Sequence, residues 1–178
     1  MTELTIRLFG DPVLRQPARP VERVTRVHKR LARNMTETMR AAPGVGLAGP
    51  QVGVLERIFV WEVEDRSGTL INPVIEERSS ELEEAEEGCL SLPGLLYPVV
   101  RSTAVRVSGI DAEGKPTTLD AEGLLARVCQ HEIDHLDGVL FIDHLPERLR
   151  REALSLLRDQ LLGLRAPPAA AAHPEETL

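Results

Sequence analysis

The sequence predicts an α+β fold: antiparallel β-sheets packed around a central helix that carries an HExxH motif, with one further helix near the N-terminus and another near the C-terminus. Three observations carry that prediction. Apolar residues recur at helical spacing in three separate runs, short β-branched stretches lie between the first and second of these, and turn residues separate the stretches. In chain order, Val24, Val27, Leu31, Met35 and Met39 are spaced as one helical face, with basic and polar residues between them and Pro43 just beyond, so residues 23–41 are expected to be helix. LERIFVWEVE from Leu55, GTLINPVIEE from Gly68 and AVRVSGI from Ala104 read as strands because β-branched and aromatic side chains suit a pleated, half-buried surface. DAEGK from Asp111 is a turn leading into PTTLD, which makes a hairpin ahead of the second helix. That helix is expected from about Asp120, a suitable N-cap, to Asp137, where Gly138 ends it. The last helix runs from about Pro146 to Leu164, with Leu149, Ala153, Leu157 and Leu161 as its buried stripe.

A chain of 178 residues can bury a sufficient core as one domain, here expected over residues 1–164. From Arg165 the composition turns to APPAAAAHPEETL, which has no periodic apolar face, so residues 165–178, His173 included, are expected to be a disordered tail. Lys plus Arg number 21 against 28 Asp plus Glu, and the net charge of −7 argues against a dedicated nucleic-acid site. The opening MTELTIRLFGDPVLR lacks a basic start followed by an apolar run, and no window has the apolar length of a membrane span. Together with only two cysteines, Cys89 and Cys129, this points to a cytoplasmic protein whose thiols serve packing or chemistry. Residues 76–87 hold seven glutamates and one arginine and read as a solvated strand edge or loop, with Glu87 set apart by its position two residues before Cys89.

The chemistry is concentrated in HEIDH, residues 131–135. Residues four apart on a helix share a face, so His131 and His135 can hold one metal ion while Glu132 lies alongside to handle protons. The third ligand has several candidates. A metzincin would extend the motif to a third histidine, but Phe141 stands in that place and His144 is out of register. Glu152, on the following helix, is the candidate a gluzincin would use. Cys129 is two residues from His131, a rotation of about 200° on a helix, and so faces away. Cys89, in EGCLSLPG, could complete a site of one thiolate and two imidazoles with a position left open for water.

GVGLAGPQVG, residues 44–53, matches GxGxxG over its first six residues, yet it follows a helix and runs into Pro50, which is not the strand-to-helix context of a dinucleotide loop. It reads better as a glycine loop that lets backbone approach a ligand, with Gln51 offering an amide donor.

Taken together, GVGLAGPQ at 44–51, EGCLS at 87–91 and HEIDHLDG at 131–138 resemble the three motifs of the peptide deformylase family, in that family's order and approximate spacing. The likeness covers about residues 1–160, with Gly49 and Pro50 standing where members often carry Ala and a variable residue, and Arg127 where an apolar pocket residue can occur. The resemblance implies hydrolysis of the formyl group from the N-terminal formyl-methionine of nascent polypeptides. It implies Cys89, His131 and His135 as metal ligands, Fe(2+) as the metal with Ni, Co or Zn able to substitute, and Glu132 as the proton carrier. The Gln51 amide and the Leu90 backbone N–H would face the developing oxyanion, and Val45, Gly46, Leu124 and Val128 would bind the substrate. Glu87 and Arg101 could form an ion pair bracing the cysteine segment, with a surface pair of little energetic value as the default. Arg148, Arg150, Arg151, Arg158 and Arg165 offer a weak, transient contact to the ribosome. Against this stand an endopeptidase using Glu152 and a metal-binding domain without activity.

Overall fold

The run Ile58-Phe59-Val60-Trp61 shows how the chain organises itself, because alternate residues of a strand point to opposite faces and here both faces are apolar. The computed structural model describes residues 3–164, so the expected tail, including Arg165 of the expected ribosomal contact, lies outside the described residues. It is α+β, as expected. Strand β1 (Gly46–Ala48) pairs with β2 (Ile58–Val63), β2 with β3 (Arg66–Arg78), β3 with β6 (Ala104–Ile110) and β6 with β7 (Pro116–Glu122), giving a five-stranded antiparallel sheet in the order β1-β2-β3-β6-β7. A separate two-stranded ribbon is made by β4 (Leu82–Glu87) and β5 (Tyr97–Ser102).

On one face of the large sheet Ile58, Val60 and Ile71 pack with Ala32, Met35 and Met39 of helix α1 (Arg26–Ala41). Thr25 caps α1, its hydroxyl accepting from the Val27 backbone N–H at 3.3 Å while its own N–H donates to His28 Nδ1 at 3.0 Å. Met35 and Met39 are fully buried, whereas Val27, expected on the same stripe, is 60% exposed because it sits in the first turn, beyond the edge of the sheet contact. On the other face Phe59, Trp61, Leu70, Val105 and Val107 pack with Leu125, Ala126, Val128, Cys129 and Ile133 of helix α2 (Gly123–Leu136). A third cluster joins Tyr97 and Val99 of the ribbon to Phe141, Ala153 and Leu157, the last two on helix α3 (Glu147–Leu161). Of the expected α3 stripe, Leu161 remains 60% exposed at the helix end.

Helix α2 is buried on nearly every side, as a helix must be when a sheet covers one flank and the ribbon another. Its start differs from expectation. Asp120 lies within β7, paired with Arg106 on β6, and the chain turns into the helix only at Glu122 and Gly123, where φ is +54°. The β6–β7 ladder therefore uses the residues that an N-cap at Asp120 would have needed. The far end is as expected: Gly138 has φ +75°, and a Cβ there would lie 2.8 Å from the Arg15 carbonyl oxygen, so both the backbone and its neighbour require glycine. Strand β3 is longer than its apolar run because register shifts at Ile71/Val74 and Ile75/Glu77 let it bend. Asn72, with φ +52°, sits at the first shift and exchanges two 2.8 Å hydrogen bonds with the Val21 backbone.

Candidate metal centre

Three segments meet at one point. The helical period puts His131 and His135 on one side of α2, the end of β4 delivers Glu87 and then Cys89, and β1 runs alongside α2 from the glycine loop. Among the described residues, Cys89, His131 and His135 form the one group whose ligand atoms cluster as a metal site would need, all within 4.8 Å of one another. The Cys89 sulfur is 3.2 Å from His135 Nε2. Tetrahedral donors on an ion with metal–sulfur and metal–nitrogen bonds of ordinary length lie roughly 3.3–3.6 Å apart, so the cluster is of the right size. Glu132 Oε2, beside the cluster, is buried with no hydrogen-bond partner among the described residues, as expected where a ligand completes the polar accounting; His135 Nδ1 is also unpartnered but lies on the ring edge away from Cys89.

His131 is oriented from behind. Its Nδ1 is 3.0 Å from Glu87 Oε2, which leaves Nε2 for the cluster. Its ring meets that of His135 at 77° with centroids 4.9 Å apart, and Phe141 stacks on it at 6.2 Å. The residue standing where a metzincin has its third ligand is thus a packing wall. Glu152 is on the exposed side of α3, accepting from the Tyr97 hydroxyl at 3.1 Å, and His144 is exposed with its Nε2 2.7 Å from Asp134 Oδ2. Neither belongs to the cluster. Cys129 faces the sheet core, where burial, helped by the charge of Glu132, pushes its thiol up to about 12.

The electrostatics of the cluster follow from proximity. Burial alone would push the Cys89 thiol up, but His135 and His131 beside it bring it down to about 5, in the thiolate range that a ligand needs. Burial would push His131 down, but Cys89 and Glu87 outweigh it and hold its pKa well up. Glu132 goes the other way. Burial, with Cys89 and Glu87 adding to it, raises its carboxyl to about 7 despite the two histidines.

Gln51 is buried, and its orientation is set by the Ala48 backbone N–H, which donates to Oε1 at 2.7 Å. The amide nitrogen is therefore turned toward Ser91 Oγ at 3.3 Å and Cys89 Sγ at 3.5 Å. The Leu90 backbone N–H has no hydrogen-bond acceptor among the described residues. Gly46 lies directly over Glu132: a Cβ built there would collide with Oε1 and fall 2.8 Å from Cδ and 3.0 Å from Cγ. Val45 is half-buried against the α2 cluster, and Val128 is 5% exposed within it. Leu124, in the first turn of α2, is 53% exposed on the wall of an open cleft of about 580 Å³ shared with Val63, Glu64 and Arg66.

Two features differ from the sequence reading. Glu87 and Arg101 do form an ion pair, but with side chains only 4% and 6% exposed it is a buried one, not the surface pair expected by default. Nε and Nη2 of Arg101 reach Glu87 Oε1 and Oε2 at 2.9 and 3.1 Å, and Nη1 reaches Asp134 at 2.7 Å. Arg127 joins the same carboxylate instead of lining a pocket: its Nη1 is 2.9 Å from Glu87 Oε1. The available signal was the position of Glu87 at the end of an acidic run, where the rest of β4 stays largely solvated.

The sequence profile described as Polypeptide deformylase matches residues 3–151. A peptide deformylase from a Parafrankia species is 45% identical over 175 residues, covering 98% of this chain and 96% of the relative. Among solved structures, the peptide deformylase from Thermus thermophilus superposes with a TM-score of 0.84 at 51% identity, covering 90% of this chain and 96% of that one. That from Ehrlichia chaffeensis gives a TM-score of 0.87 at 34% identity, with 91% and 98% covered. A likeness that runs through the fold as well as the three segments meeting at the cluster leaves one conclusion: this chain belongs to the polypeptide deformylase family.

Proposed function

We propose that Cys89, His131, His135, Glu132 and Gln51 carry out in this chain the reaction of its family. Membership gives the activity itself: a metal-dependent hydrolase that removes the N-formyl group from the N-terminal formyl-methionine of newly synthesised polypeptides and releases formate. The observation that carries the residue assignment is the convergence of one thiol and two imidazoles beside a buried carboxyl with a free oxygen. Cys89, His131 and His135 hold the metal. A divalent ion there supplies Lewis-acid chemistry and brings the pKa of water toward neutrality. A donor set of one thiolate and two imidazoles suits borderline-soft ions, and our reading is Fe(2+), with Ni, Co or Zn able to replace it.

Glu132, buried beside the cluster with Oε2 unpaired among the described residues, is positioned to take a proton from the attacking water and return it to the leaving amine. As the formyl carbon becomes tetrahedral, its oxygen gains charge, and the Gln51 amide and the free Leu90 N–H are the donors this chain offers it. Ser91 and the Ala48 N–H serve that step by keeping the Gln51 nitrogen turned toward Cys89. Val45, Gly46 and Val128 form the apolar wall for the methionine, and Leu124, one turn before Val128 on α2 and 53% exposed, is its outermost member, although the cleft it lines holds none of the metal-cluster residues. Residues 1–164 act as one catalytic domain. Our reading of the protein is cytoplasmic, where bacterial ribosomes release formylated chains, with Arg148, Arg150, Arg151 and Arg158 on α3, the last three in surface ion pairs, as the cations for a transient ribosomal contact. Among the described residues no helix is long and apolar enough to cross a membrane.

The test is release of formate from a short formyl-methionyl peptide by protein purified without oxygen and loaded with Fe(II) or Ni(II). Wild type is expected to turn over. Glu132→Ala is expected to bind metal and lose activity by at least the roughly 10²–10⁴-fold typical of a proton-transfer group, and Cys89→Ser to lose metal. Metal retained in full by Cys89→Ser would defeat the ligand assignment.

A further inference from the structure

Resting on the reading that Cys89, His131 and His135 hold the metal, we propose that Arg127 is a positioning residue for that site. It locks the cysteine-bearing ribbon to the histidine-bearing helix and fixes the carboxylate that orients His131. The argument begins with what a buried guanidinium requires. Arg127 is on α2, four residues before His131, with its side chain 9% exposed, so its donors must find acceptors inside the protein. They find them on both strands of the ribbon. Nη1 donates to the Val99 carbonyl of β5 at 2.8 Å and, at 3.4 Å, to the Ala85 carbonyl of β4, while Nη2 donates to the Glu83 carbonyl of β4 at 3.0 Å. Nη1 also donates to Glu87 Oε1.

That last contact connects the clamp to the metal centre. Glu87 ends β4, two residues before Cys89, and its two oxygens are divided: Oε1 receives Arg101 Nε and Arg127 Nη1, and Oε2 receives Arg101 Nη2 and faces His131 Nδ1. With Oε1 held by two guanidinium groups the carboxylate cannot rotate, and Oε2 stays where it fixes the His131 ring. One side chain thus sets two things at once: the distance from helix to ribbon, and hence from the histidines to Cys89, and the orientation of one histidine. Arg101, itself on β5, also ties the ribbon to α2 through Asp134, but it does so from β5 alone, whereas Arg127 bonds the backbone of both strands. Residues behind the ligands that fix their geometry typically govern metal affinity by about 10- to 100-fold.

The experiment is a chelator competition for Co(II) on the full-length protein, read together with the sulfur-to-cobalt charge-transfer and ligand-field absorption. It compares wild type, Arg127→Met and Arg127→Lys. Arg127→Met is expected to bind Co(II) about 10- to 100-fold more weakly with a shifted ligand-field spectrum, and Arg127→Lys, which keeps the charge beside Glu87 but cannot span both strands, to fall between. Arg127→Lys carries the test where Arg127→Met does not fold. Affinity within about twofold of wild type and an unchanged spectrum in the folded variants would overturn the role of Arg127, because a side chain that only supports the fold would change melting and leave the bound metal alike. Wild type that binds cobalt without thiolate absorption would instead overturn the ligand reading on which the inference rests.

Discussion

Replacing Gly46 by alanine puts one methyl group against the carboxyl of Glu132, the proposed proton carrier, and the structure gives the size of the effect. The added Cβ would lie 2.8 Å from Glu132 Cδ. An unstrained carbon–carbon contact needs about 3.5 Å, so the carboxyl must withdraw by about 0.7 Å, and further where the same Cβ meets Oε1. Backbone β1 cannot yield easily, because Gly46 is paired with Trp61 on β2. The side chain of Glu132 yields instead, since it is the flexible partner and its Oε2 has no hydrogen bond holding it. A displacement on the order of 1 Å at a group that moves the proton costs about 10²-fold in rate, or ~2.7 kcal/mol. The expectation is a kcat about 10²-fold below wild type with metal content and fold unchanged, measured by formate release, metal analysis and circular dichroism. A double-mutant cycle sharpens it. Glu132→Asp shortens the side chain and withdraws the carboxyl from the methyl, so Gly46→Ala should cost little more in that background. Undiminished kcat in Gly46→Ala, or strict additivity with Glu132→Asp, would refute the view that Gly46 is glycine to make room for Glu132.

Two further outcomes follow from the same geometry. Gln51→Leu, near in volume but without the amide, should lower kcat by about 10²–10³ through loss of the oxyanion donor, while metal binding persists; an equal rise in KM with kcat untouched would assign Gln51 to binding instead. Asp143, although burial works to raise it, is held below the ordinary carboxylate range by Arg15, by the Leu140 backbone N–H and by Arg150. A depressed folded-state pKa contributes stability that is present above the unfolded value of about 3.9 and is lost as pH falls through the folded one. With both arginines nearly half exposed, screening limits the contribution to about 1 kcal/mol, or ~2–4 °C in Tm. The melting gap between wild type and Asp143→Asn should accordingly be largest near neutrality and shrink in the acid range, and a gap that widens on acidification would contradict the sign.

The sequence by itself determined what depends on near neighbours. The helical period placed α1, α2 and α3, the β-branched runs placed β2, β3 and β6, and four-residue spacing put His131 and His135 on one face with Gly138 closing the helix. The convergence of the glycine loop, the cysteine segment and HEIDH was also legible, as a resemblance carried by three short motifs. What the tertiary structure decided was everything that depends on pairing across the chain. Strand β1 has only three residues, and the acidic β4 has no apolar alternation, so each exists as a strand because a partner supplies its hydrogen bonds. Asp120 was drawn into β7 for the same reason, since Arg106 lies opposite it. In the sequence Glu87 is set apart from a solvated acidic run only by its position and Arg127 stands where an apolar pocket residue can occur; that they meet is decided by the fold, which buries guanidinium and carboxylate groups 40 residues apart so that they satisfy one another. Local propensity has a range of about one helical turn, whereas the fate of a charge is set by whatever the fold brings against it.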